Sequence, residues 1–183
     1  MSAVANLEQV LAGKQWRVDP EYSAIEFRVK YLMIETVKGR FLDFDGAIEV
    51  AEQPSLVGLV RVASLDTHHA ERDAHLRSPD FFDAERHPEI VFASTKVELD
   101  DDSSLAVAGA LTIKGITRPI ELDGTFQGAG VDLDGRERIG LELRGELERH
   151  DFGLTWNRLL ETGGVLVGNT VQLALDVAAV REA

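Results

Sequence analysis

From Trp16 onward, apolar and polar residues alternate with a period of two. Ile25, Phe27, Val29 and Tyr31 stand against Glu26, Arg28 and Lys30, and Val37, Gly39 and Phe41 stand against Lys38 and Arg40. This pattern predicts strands with one buried face. The phase then switches, because Phe44, Gly46, Ile48 and Val50 carry the apolar face. A one-residue change of phase turns every side chain over, so a bulge or sharp bend is expected at Leu42-Asp43. Val60 and Val62 mark a third run, and Glu89 to Leu99 a fourth whose phase shifts between Phe92 and Val97.

The second half is more regular. Leu105, Val107, Gly109, Leu111 and Ile113 share a face. Lys114-Gly115 turns the chain, and Ile120, Leu122, Gly124 and Phe126 follow. Gly128, Gly130 and Gly135 suggest a loose acidic loop. Ile139, Leu141, Leu143, Gly145 and Leu147 form the next face, and Val171, Leu173, Leu175 and Val177 the last. About eight short-turned strands with one apolar face each read as an all-β domain. No repeat or linker divides residues 16–183. Before them, Val4, Leu7, Val10 and Leu11 recur at helical spacing and Gly13 is a helix stop, so residues 1–15 read as a short helical arm or a frayed one.

Eight antiparallel strands form either a sandwich or a closed barrel. A barrel of that size has no open edges and holds one small ligand. Gly39, Gly109, Gly124 and Gly145 all fall on apolar faces, where a packed core prefers bulk. Such glycines relieve curvature or leave room for a ligand. Four together favour a barrel with an internal tunnel.

One stretch breaks the alternation. Ser64 to Phe82 carries His68, His69, His75, Arg72, Arg77 and several carboxylates, and closes with Pro79, Phe81 and Phe82. Thr67 is a plausible N-cap for a short helix, with Glu71 in its first turn, and Pro79 cannot continue that helix. Arg72 and Leu76 would share one face of it, Glu71 and His75 another. This is the expected place for specific recognition. Arg72 or Arg77 can hold a phosphate, carboxylate or carbonyl oxygen, and His75 can donate or accept a hydrogen bond.

Charge and composition narrow the partners. Nineteen Lys and Arg against thirty-two Asp and Glu give a net charge of −13, which argues against nucleic acid and against stable binding to an anionic membrane. No stretch approaches membrane-spanning length. There is no Cys, so thiol chemistry and disulfides are excluded. His68 and His69 are adjacent and their side chains diverge, and there is no HExxH arrangement, so no metal is expected. A Gly-rich phosphate loop and a nucleophile elbow are also missing, so no cofactor is expected. Residues 1–15 lack a basic, continuously apolar leader, which makes a cytoplasmic location the expectation.

The motifs themselves resemble those of a known family. Arg72-Asp73-Ala74-His75-Leu76-Arg77-Ser78-Pro79-Asp80-Phe81-Phe82-Asp83 is similar to the signature of the YceI-like polyisoprenoid-binding family. Four further blocks match in order: Asp19 to Ser23 with Gly39-Arg40-Phe41, His87 to Ser94, Gly109 to Pro119, and Arg149-His150-Asp151-Phe152-Gly153. Tyr22 stands where the family usually has histidine. The resemblance implies a lipocalin-like antiparallel barrel that holds a polyisoprenoid or other long-chain lipid, often as a homodimer. The expected ligand contacts are then Phe27, Val29, Phe41, Phe44, Val60 and Val62 from the first half. Arg72, Asp73, His75, Leu76, Phe81 and Phe82 come from the helical segment. Phe92, Gly109, Leu111, Ile113, Leu143, Gly145 and Phe152 come from the second half. The alternatives are an enzyme using Arg72, Asp73 and His75 on an isoprenoid-like substrate, and a protein-interaction barrel without a lipid.

Overall fold

The structure, a computed structural model, describes residues 9–183. A helical turn at residues 9–11 leads into the barrel and buries Leu11 on the core; the rest of the expected N-terminal helix lies outside the described residues. β1 (Lys14–Val18) and β2 (Ala24–Tyr31) are separated by a 3-10 turn at Pro20–Tyr22. They pair in succession along β11 (Val167–Arg181), Val18 opposite Ala179 and Ile25 opposite Leu175. β3 (Glu35–Phe41) and β4 (Phe44–Val50) pair with β2 and β1 in the same way. The break between them falls at Leu42-Asp43, where the alternation changes phase.

β5 (Ser55–Arg61), β7 (Glu89–Leu99), β8 (Ser104–Ile113), β9 (Ile116–Val131), β10 (Glu137–Glu148) and β11 then follow, each antiparallel to the next. The β1–β11 pairing closes the ring. Two residues, β6 (Leu65–Asp66), patch the edge of β3 at Arg40 and Phe41. The hydrogen-bonded strands thus occupy eight staves of one closed antiparallel barrel.

Local chemistry explains the corners. Lys114 and Gly115 both have positive φ, 52° and 75°, the two-residue turn that matches strand twist. The phase shift in β7 is a register break between Ser94 and Lys96. The loose loop expected at Gly128 to Gly135 is tighter than its glycines suggest. β9 runs on to Val131 through an irregularity beside Gly140, and the turn is held by Asp132 Oδ1, which accepts from the backbone N–H of Asp134 and Arg136.

The barrel is filled at one end only. Trp16, Leu105, Val107, Phe126, Ile139, Leu141 and Ala179 pack there as a continuous apolar cluster. Above that plug, Glu137 ties the closing seam: it accepts from Arg181 Nη1 at 2.7 Å and from Lys14 Nζ at 3.2 Å. These two cations, Arg181 first, lower the Glu137 carboxyl below its ordinary value. A carboxyl depressed by folding contributes stability above its unfolded pKa of about 4.3 and loses it as pH falls through the folded value. Glu137→Gln should therefore flatten the acid limb of the stability profile. Denaturant midpoints followed from neutral pH down through the carboxylate range check this; parallel acid limbs in variant and parent would contradict it.

Candidate functional site

The unfilled half of the barrel encloses a cavity of about 750 Å3, lined mainly by apolar side chains. That volume lies within the range of small-molecule sites, about 300–1,000 Å3. Phe27 and Val29 face it from β2, Phe41 from β3, Phe44 from β4, Val60 from β5 and Phe92 from β7. Leu111 and Ile113 of β8 and Leu143 of β10 complete that part of the wall. From the helical segment come Arg72, His75, Leu76, Phe81 and Phe82. Ring contacts give the wall its shape: Phe41 lies 5.7 Å from Phe27 and 6.1 Å from Phe82, centroid to centroid.

Five of the expected contacts lie elsewhere. Val62 opens a 3-10 turn (Val62–Ser64) and is buried in the packed core. Phe152 ends the 3-10 corner Arg149–Phe152 and is buried beneath it. Asp73 is buried and spent locally: its Oδ1 accepts from Thr67 N–H at 2.9 Å and from the Thr67 hydroxyl at 2.5 Å. Gly109 and Gly145 leave no free space. A Cβ on Gly109 would overlap Cζ and Cε2 of the Phe92 ring, and one on Gly145 would come within 2.5 Å of Leu122 Cδ2. These glycines seat a neighbour's side chain flat against the wall. Gly39 does the same for Phe27.

The inward glycine that does leave space is Gly58; over its neighbour Gly46 a Cβ would come within 2.7 Å of Val18 Cγ2. Gly46 and Gly58 stand opposite each other in the β4–β5 register and both line the cavity. A Cβ on Gly58 would meet only the Asp45 carbonyl oxygen, at 3.9 Å.

At the other end the lining turns polar. The helix spans Ala70–Arg77, and its N-cap is His69, whose Nδ1 accepts from Arg72 N–H at 3.1 Å. Thr67, expected as the cap, is instead the hub of an interior cluster with Asp73. Arg72 donates from Nε to the Thr67 hydroxyl at 2.8 Å and from Nη2 to the Thr67 carbonyl at 2.7 Å. The segment is therefore locked to the barrel rather than hung from it. Asp73→Ala would leave the buried Thr67 N–H and hydroxyl unpaired and should destabilise the fold by about 1.5–3 kcal/mol. Chemical denaturation checks the value, and a change below a few tenths would contradict the assignment.

Further along, His75 Nε2 lies 2.9 Å from Asp80 Oδ2, and its ring meets Trp156 and Phe81 edge-on at 4.7 and 5.1 Å. Trp156 also lines the cavity, as do Leu154 and Arg149. Arg149 is 3% exposed. Its Nε donates to the Gly168 carbonyl, Nη1 to those of Leu154 and Trp156, and Nη2 to that of Val167. Among the described residues no carboxylate pairs with it, and burial lowers its pKa from the ordinary arginine value. Sequence reasoning used Arg149 only as a motif letter and missed Trp156 altogether. Among the described residues no three His, Asp or Glu side chains gather as a metal site; His68 is exposed and pairs with Asp66.

A closed eight-stave barrel, plugged at one end and hollow at the other, invites comparison with known proteins. The model of the YceI-like domain matches residues 16–179. The chain belongs to the YceI-like family. Relatives include a UPF0312 protein of Pectobacterium atrosepticum, 37% identical over 161 residues, covering 85% of this chain and 83% of that one. Another, from Pseudomonas aeruginosa, is 35% identical over 187 residues, covering 99% and 94%. Among solved structures, the YceI protein of Campylobacter jejuni is 30% identical with a TM-score of 0.69, covering 84% of this chain and 90% of that one. Burkholderia cenocepacia BcnA shares the fold at 21% identity and a TM-score of 0.76, covering 88% and 98%. A polyisoprenoid-binding domain from Saccharophagus degradans shares it at 16% and 0.67, covering 91% and 98%. The YceI-like barrel of this chain thus carries its hollow half and the recess at Gly58 within a shared architecture.

Proposed function

We propose that this protein binds a long-chain amphipathic lipid, a polyisoprenoid or isoprenoid quinone, in the barrel cavity, for carriage, storage or sequestration. The observation that carries the reading is the lining itself. One face of each long strand supplies apolar wall, and the helical segment adds polar groups from His69, Glu71, Arg72 and His75. Burial of hydrocarbon is worth roughly 25 cal/mol per Å2, so a long tail needs no specific contact to bind. The Saccharophagus degradans neighbour, described as polyisoprenoid-binding, supports the ligand class. An enzymatic use of Arg72, Asp73 and His75 is less well supported, because Asp73 and two donor nitrogens of Arg72 are engaged by Thr67. Cytoplasmic residence and pairing into homodimers stay part of this proposal, to be read by fractionation and light scattering.

The test is mass spectrometry of the organic extract of protein purified from its natural host. A stoichiometric long-chain isoprenoid is the expected result. Protein that carries no lipid and takes up none from a prenyl alcohol series would overturn the reading.

A further inference from the structure

Two hairpins with apolar tips stand at the hollow end of the barrel. The turn between β2 and β3 is Leu32-Met33, and Ile34 N–H donates back to the Tyr31 carbonyl at 3.2 Å. A second hairpin pairs Leu159 with Val165. Leu32 N–H donates to the Leu166 carbonyl at 2.8 Å, so the two stand side by side. Tyr31, Glu35, Leu166 and Val167, just behind the tips, line the cavity. The tips themselves face water: Met33 is 62% exposed, Ile34 78% and Leu159 82%. Turn formation does not account for these residues. Leu32 and Met33 both have positive φ, 53° and 62°. Two-residue hairpin turns of that kind favour Asn, Asp and Gly, and bulky side chains rarely adopt it.

Charge is the second observation. On the outer face of the β2–β3 hairpin, Arg28 stands directly opposite Lys38. Like charges so placed repel. Lys30 stands opposite Thr36 and donates to its hydroxyl at 3.2 Å, which leaves the charge uncompensated. Arg158 adjoins Leu159 in the second hairpin. All four cations are exposed, and among the described residues no carboxylate pairs with any of them. Two acids, Glu35 and Glu161, share the hairpins with them. Elsewhere on this −13 chain cations find acids, as Arg61 does with Asp43 and Asp45. The plug end makes the contrast. Leu133 is fully exposed there but sits between Asp132 and Asp134, which hold Arg136. The hollow end thus joins bare hydrocarbon to unpaired cations, the complement of an anionic lipid surface.

We propose that the two hairpins form a lip that docks on an anionic bilayer. Met33, Ile34 and Leu159 enter its outer hydrocarbon, and Arg28, Lys30, Lys38 and Arg158 meet its head groups. The cavity then opens against the membrane from which a lipid is loaded. The loading role rests on the lipid-binding reading above; the docking does not. The acidic body repels such a surface, so contact is confined to the lip and is transient.

The chain has no Cys, so a single Ile34→Cys in the full-length protein takes an environment-sensitive dye at one place. Leu133→Cys places the same dye at the plug end. Vesicles of phosphatidylcholine and phosphatidylglycerol in equal amounts, at low salt, are compared with pure phosphatidylcholine. The dye at position 34 should shift to the blue on the anionic vesicles and be quenched by brominated acyl chains; the dye at 133 should do neither. Raising salt should release the protein. In unlabelled protein, Met33→Asp with Ile34→Asp should weaken vesicle binding about tenfold or more, read by flotation. Aspartate tolerates positive φ, so that variant should fold as well as wild type. Leu133→Asp should bind as wild type does. No shift at position 34, equal shifts at both ends, or full binding by the double variant overturns the proposal. So does a shift at 34 that needs only more protein and no vesicles, which marks a contact between copies. A prenyl alcohol carried in the same vesicles separates the two readings. Uptake without docking overturns the lip alone, and docking without uptake overturns the lipid reading and leaves the lip.

Discussion

Gly58→Phe is expected to shorten the range of lipids that bind while leaving the fold intact. Gly58 lies on β5 opposite Gly46 of β4; Val18 covers Gly46, and the wall is recessed at Gly58. The space beyond its Cα is open, with the Asp45 carbonyl 3.9 Å from where a Cβ would stand. A phenyl ring placed there projects into the cavity rather than into a neighbour. Glycine within a strand costs about 0.5–1 kcal/mol relative to alanine, so the variant should melt no lower than wild type. Across a prenyl alcohol series, the longest ligands should lose about tenfold or more in affinity and the shortest should be little changed. A folded Gly58→Phe variant that binds every length as wild type does would show that the recess does not receive the tail. Gly145→Phe is no substitute for this test, since Leu122 already fills the space over Gly145.

Gly124→Ala should be the most damaging single-methyl change in the barrel wall. Gly124 pairs with Leu143 in the β9–β10 register. An added Cβ would overlap the Glu142 carbonyl oxygen, and would lie 2.7 Å from its carbon and 2.9 Å from Leu143 Cα. All three are backbone atoms, which cannot rotate away as a side chain can. Relief requires the two strands to part, so the expected loss is about 3 kcal/mol or more. Gly130, also in β9, has nothing within 4 Å of its virtual Cβ and serves as the control. Gly130→Ala should stay within about 0.5 kcal/mol of wild type. Denaturant unfolding of the two variants side by side checks this, and equal losses would contradict it.

Much of the barrel was legible because a strand's side chains must alternate. The break at Leu42-Asp43, the register shift in β7 and the turn at Lys114-Gly115 all left marks in the order of apolar residues. The role of each inward glycine left none. The sequence places Gly39, Gly109, Gly124 and Gly145 on the same kind of face, but only cross-strand neighbours decide which seats a ring, which seats a leucine and which meets backbone, and Gly58 drew no notice. Arg149 was illegible for a related reason: its partners are backbone carbonyls, which have no residue identity. Trp156 sits between Gly153 and Leu166, an irregular stretch whose order has no period to read. At the helix, Thr67 has the chemistry of a cap. Yet Asp73 and Arg72 draw its N–H, hydroxyl and carbonyl into the interior, and His69 takes the cap position.

The central claim is that a lipid tail lies inside the hollow half of the barrel with its head beside the helical segment, near His75 and Trp156. Photo-crosslinking with an isoprenoid that carries a diazirine at its tail tip, read by peptide mass spectrometry, tests this most directly. Crosslinks should fall on cavity-facing residues such as Phe44, Leu56, Val60 and Phe92, and a head-group diazirine should instead mark His75 and Trp156. Crosslinks confined to outward-facing positions such as Val91 or Leu133 would contradict the account.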